Sequence, residues 1–134
     1  MEYKMGLFST LFPTRIRIRR TVFHTRSKKL YLANKEAARA LVIERVAHFN
    51  LHYKLPVGKI AIRNQKSRCC SCSRKGNLNF NYKLVFLPPD QRDYVIVHEI
   101  CHIKEFNHGR GFWALVAETI PDYKALRHKL RHVR

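Results

Sequence analysis

At 134 residues the chain has room for one domain, and a hydrophobic fraction of 46% is enough to build a core. Lys and Arg number 27 against 9 Asp and Glu, a net charge of +18. That excess points to DNA or RNA as a polyanionic partner, with anionic membrane a weaker candidate and plain solubility the bland alternative. No apolar run is long enough to span a bilayer, and the first residues lack both a basic leader and a small-residue cleavage site. Of the 4 cysteines, Cys69, Cys70 and Cys72 crowd together, which is a poor disulfide framework. A cytoplasmic monomer in a reducing compartment is therefore expected.

Residues 1–13 read as a disordered or core-packed leader that Pro13 ends. In residues 14–23, Arg15, Arg17 and Arg19 alternate with Ile16 and Ile18, the period of a half-buried strand with a basic outer face. HTRSKK then reads as a turn, and LYLA, residues 30–33, as a second short strand. Asn34 is placed to cap a helix that runs to about Tyr53. Ala38, Leu41, Val42, Val46 and Phe49 fall on one stripe of it, and Pro56 and Gly58 stop it. His48 and His52 sit four apart there, but without a nearby third ligand a solvated face is expected.

KIAIRN, residues 59–64, reads as a strand. Residues 77–88 read as a longer one, with Leu78, Phe80, Tyr82, Leu84 and Phe86 alternating with Asn77, Asn79, Asn81 and Lys83. The loop between them is basic and carries Lys66, Arg68, Arg74 and Lys75. Pro88 and Pro89 suit the start of a helix. Residues 107–111 break that helix, and two further helical segments follow, the last one basic. The order of elements is that of an α+β domain spanning 1–134.

The chemistry concentrates in HEICHIKEFNH, residues 98–108. His98 and His102 stand at i and i+4, so both imidazoles reach one side of a helix and one ion. Glu99 is rotated about 100° from His98, off the ligand line, where it can serve as general base toward a metal-activated water. A catalytic zinc takes three protein ligands and leaves one position open. His108 is the favoured third ligand, because Asn107 and Gly109 can adopt left-handed backbone and turn the chain back. Glu118 on the next helix is the alternative, and Glu105 is set aside as a bystander or outer contact. The spacing equals that of metzincins, but Glu105 stands where they have glycine, and the only methionines, Met1 and Met5, cannot make a Met-turn. A cysteine metal site at Cys69, Cys70 and Cys72 would need Cys101 as its fourth ligand; otherwise these are buried small residues or free thiols.

Several segments in order, QKSRCCSCS, LNFNYKLV, PPDQRDYVIVHEICH, NHGRGFW and PDYK, resemble the YgjP-like predicted metal-dependent hydrolases, which are related to the SprT-like and WLM zincins. The resemblance covers residues 57–134. It implies a zincin-like fold with a small mixed or antiparallel sheet on the HExxH helix, one zinc ion on His98, His102 and His108, and Glu99 as acid/base. The family pattern has Trp-Gly where Cys69 and Cys70 stand here.

The leading expectation is a zinc metallopeptidase acting on peptide or protein substrates, near nucleic acid. Here residues 78–86 would offer an edge to an extended peptide, and Phe112 and Trp113 would pack behind His108. One alternative is a nucleotide or phosphoanhydride hydrolase with the same centre and with Lys66, Arg68, Arg74 and Lys75 on the phosphates. Another is a non-enzymatic nucleic-acid-binding module with a closed structural zinc.

Overall fold

The computed structural model describes residues 27–65 and 69–132. The leader, the strand expected at 14–23, and Lys66 and Arg68 lie outside them.

Helix α1 (Lys28–Tyr53) begins earlier than Asn34 and absorbs LYLA, which is therefore helix and not strand. Its cap is Ser27, whose hydroxyl accepts the Leu30 amide at 3.2 Å. Asn34 sits inside the helix and donates to the Leu30 carbonyl at 2.9 Å. Four residues cannot separate a strand period from a helical one, and here the cap decides. Ala38, Val42, Val46 and Phe49 form the buried stripe. Lys54, at φ 53°, ends the helix with its amide on the Asn50 carbonyl.

Three short strands follow: β1 (Ile60–Arg63), β2 (Cys70–Cys72) and β3 (Leu78–Asn81). Their order is β1-β3-β2, with β1 parallel and β2 antiparallel to β3, so the sheet is mixed. Gly76 makes the turn from β2 to β3 at φ 80°, where a Cβ would come within 2.6 Å of the Pro56 carbonyl oxygen. The strand expected over 77–88 stops at Asn81. There the side-chain carbonyl of Asn81 accepts the Lys83 amide at 3.1 Å and starts a 3-10 helix (Tyr82–Phe86). Lys83, expected on the polar face of a strand, is buried as a result.

Helix α2 (Pro89–Cys101) starts on Pro89 as expected. Every residue from Tyr94 to Cys101 is buried, which marks it as the central helix. It touches α1, β2 and the two remaining helices, α3 (Arg110–Ala117) and α4 (Tyr123–His132). Arg45 of α1 grips Asp93 of α2 through two hydrogen bonds of 2.9 Å, a fork that holds the two helices together just ahead of His98. Among the described residues, no helix is long and apolar enough to cross a membrane.

Candidate metal centre

His98, on the last turn of α2, is buried, and His102 caps that helix. His102 is also the first of three turn residues, 102–104, that bring the chain round. The Glu105 amide donates to the Cys101 carbonyl at 2.9 Å. The bend comes at residues 102–104, and no residue from 102 to 109 has positive φ. Gly109 is extended, at φ −87°, so the left-handed turn expected around Asn107 and Gly109 is not how His108 returns. Helix unwinding just after His102 does that work.

The outcome is a triangle of imidazole nitrogens. His98 Nε2 lies 3.0 Å from His102 Nε2 and 3.2 Å from His108 Nε2. A tetrahedral ion with metal–nitrogen bonds of 2.0–2.1 Å needs neighbouring nitrogens about 3.3 Å apart, so the spacing fits a single divalent ion. The His102 ring is oriented by its Nδ1, which donates to the Glu105 carbonyl at 3.0 Å and leaves Nε2 as the lone-pair nitrogen. Burial holds all three rings neutral. His98 is pushed well below the usual histidine range by burial and by its two histidine neighbours and Arg127. His102 is held down to about 3, by burial and by His108. His108 is held down to about 4, by burial and by Arg127. A neutral imidazole is the form that binds metal.

Phe112 stacks on His102 at 4.5 Å and lies 4.9 Å from His108. Trp113 donates its Nε1 proton to the His108 carbonyl at 3.1 Å. Both residues support the third histidine from behind, as expected. Glu118 is not brought to the triangle. It sits on the surface 3.1 Å from His52, because the cap of α3 turns it toward α1. Glu105 contributes its carbonyl to His102, while its carboxylate lies over Gly111. Lys75 is exposed, and Arg74 is engaged with the Phe106 ring, 5.8 Å from its centroid.

Glu99 is buried next to the triangle, facing β2. The Cys70 thiol donates to its Oε1 at 3.0 Å. Burial, then Cys69 and Glu99, push the Cys70 thiol well up, so it stays protonated and remains a donor. No period or ligand spacing in the sequence points to this contact. Its one signal is that Cys70 stands where the YgjP-like pattern has glycine, which has no side chain to offer. All four cysteines are free thiols, and among the described residues only the three histidines form a metal-competent group.

The sequence model of the YgjP-like metallopeptidase domain matches residues 14–133. The chain belongs to the YgjP-like family. Among solved structures this YgjP-like chain is similar to the metallopeptidase zymogen of Pyrococcus abyssi, abylysin. The two share 26% identity with a TM-score of 0.59, over 69% of this chain and 96% of that one. No curated protein matches it significantly in sequence. Family and neighbour make the YgjP-like protein a metal-dependent hydrolase of the metallopeptidase kind, with an α+β fold.

Proposed function

We propose that the protein is a zinc peptidase in which His98, His102 and His108 hold one zinc ion and Glu99 is the general base. The observation that carries this reading is the convergence of the three Nε2 atoms beside a buried carboxylate on the same helix. Three neutral nitrogens are the donor set of a hydrolytic zinc with one open position, and zinc there would polarise a scissile carbonyl and acidify a water. With the ion bound, Glu99 would act as general base toward the attacking water and would return the proton to the leaving amine. Cys70 holds Oε1 meanwhile and fixes the plane of the carboxylate.

An extended peptide needs a free sheet edge. Strand β3 cannot supply one, because β1 and β2 pair with it on both sides. Strand β2 lies against α2 at Glu99, and among the described residues it pairs only with β3. Its outer edge is therefore the docking edge that we assign to substrate. The net charge of +18 supports action on proteins near DNA or RNA.

Glu99→Gln tests the mechanism. With zinc content unchanged by mass spectrometry, peptide turnover falls by about a hundredfold or more. Turnover within a factor of two of the parent would remove Glu99 from its role. Metal-dependent release of phosphate from nucleotides, with no peptide cleaved, would favour the phosphoanhydride alternative.

A further inference from the structure

One strong charge near the triangle has no part in the mechanism above. Arg127 sits on α4, and its guanidinium carbon lies 4.9 Å from the centroid of Trp113. Tyr123, one turn earlier on α4, stacks on the same indole at 4.9 Å with the rings 13° apart. Trp113 is anchored to His108 by its Nε1 bond, and its ring lies 5.8 Å from that of His108 and 6.1 Å from that of His98. An aromatic platform pinned to the third histidine thus carries a positive group to the side of the metal centre.

For stability this is a poor arrangement. A cation beside a cation site opposes loading of the metal. Arg127 is also partly buried and next to Arg131, and both circumstances disfavour its own charge. A structural arginine in such a place would have a carboxylate partner. Among the described residues none pairs with it: Asp90 lies with Lys129, Asp93 with Arg45, Glu118 with His52 and Glu36 with Arg39. The face of its guanidinium rests on the indole of Trp113, with no carboxylate paired to it among the described residues. Its N–H edge is therefore available to an anion from outside the chain.

We propose that Arg127 forms an anion subsite beside the metal centre and receives a carboxylate of the peptide substrate. A guanidinium laid on an aromatic ring keeps its N–H edge open, and that edge matches a carboxylate with two parallel hydrogen bonds. The peptide as carrier of the carboxylate rests on the peptidase reading; the subsite itself rests on the geometry of α4. Two sources share the chemistry: the C-terminal carboxylate of a short peptide, and an acidic side chain near the scissile bond.

The test uses binding, so it does not depend on turnover. Zinc-loaded full-length protein carrying Glu99→Gln is titrated with four alanine-rich hexapeptides: free C-terminus, C-terminal amide, and the amide with one internal Glu or Gln. Trp113 is the single tryptophan, so its fluorescence reports at the subsite, and calorimetry gives the affinity independently. The expected result is at least about tenfold tighter binding of a carboxylate peptide than of its neutral partner, and loss of that difference in Arg127→Gln. Preference for the free terminus assigns the subsite to the chain end; preference for internal Glu over Gln assigns it to a side chain. Arg127→Lys keeps charge and loses the fork, so it retains part of the preference and guards against a folding defect in the glutamine variant. Equal binding of charged and neutral peptides, or a preference that survives Arg127→Gln, overturns the proposal. So does displacement of the fluorescence signal by inorganic phosphate with no carboxylate preference. If the peptides bind with this pattern but the parent protein cleaves none of them, the peptidase reading fails and the subsite stands.

Discussion

Helix α2 and strand β2 face each other across Glu99, and they are built in opposite ways. Helix α2 is 13 residues long and buried through its second half. It sets His98 and His102 together by helical repeat alone, with no help from distant parts of the chain. Strand β2 is 3 residues long and holds its place through one pairing, Cys70 opposite Phe80 and Cys72 opposite Leu78. A slip of one residue in that register would turn Cys70 to the other face. The metal wall is specified locally, while the partner of the base depends on an edge strand.

The contrast can be broken from either side. The largest effect is expected from His102→Ala. It removes a ligand and a ring that is fully buried against Phe112. Metal affinity, read by competition with a chromogenic chelator, should fall by more than about a hundredfold, and peptidase activity with it. Zinc retained at full stoichiometry would mean that the triangle is not the site.

Next comes acid sensitivity of the metal-free protein. His98, His102 and His108 have folded pKa values below the usual 6.5, two of them at about 3 and about 4. Between those values and 6.5 the unfolded chain binds more protons, so stability is present above 6.5 and lost as pH falls. The slope should approach about 1.4 kcal/mol per pH unit for each histidine that stays neutral. Urea melts of the chelated protein from pH 7 to pH 5 measure it. A flat profile would show that burial does not hold these rings neutral.

On the strand side the effect is smaller. Cys70→Ala removes a thiol donor to Glu99, and kcat should fall by about fivefold with zinc content constant. Cys70→Ser keeps a donor and should retain most of the rate. An alanine variant as fast as the parent would leave β2 with no role beyond its edge. The smallest effect is expected at Glu118, whose pair with His52 is half exposed. Glu118→Gln should leave metal binding unchanged and shift stability by less than about 0.5 kcal/mol. Loss of zinc in that variant would reinstate it as a ligand.

The same division explains what was legible in the sequence. The pairing of His98 and His102 at one end of a helix, the start of α2 at Pro89, and β1 all follow from periods and breakers a few residues long, whereas β2 lies in a segment that reads as a loop. LYLA reads as a strand because its helix cap, Ser27, lies just outside a window too short to show a period. The strand through 77–88 was overextended because alternation continues past Asn81, while the turn there is made by one side-chain bond that no period reveals. The central position of β3 and the Cys70–Glu99 contact are matters of pairing between distant segments. Arg127 looked like one more charge in a basic tail, because only the docking of α4 brings it to Trp113.

The triangle also fixes where one proton must sit. His102 uses its Nδ1 proton on the Glu105 carbonyl, so its Nε2 has only a lone pair. That lone pair faces His98 Nε2 across 3.0 Å, on the side where the three rings converge. A backbone carbonyl, and not the side chain of Glu105, thus chooses which nitrogen of His102 an ion would meet.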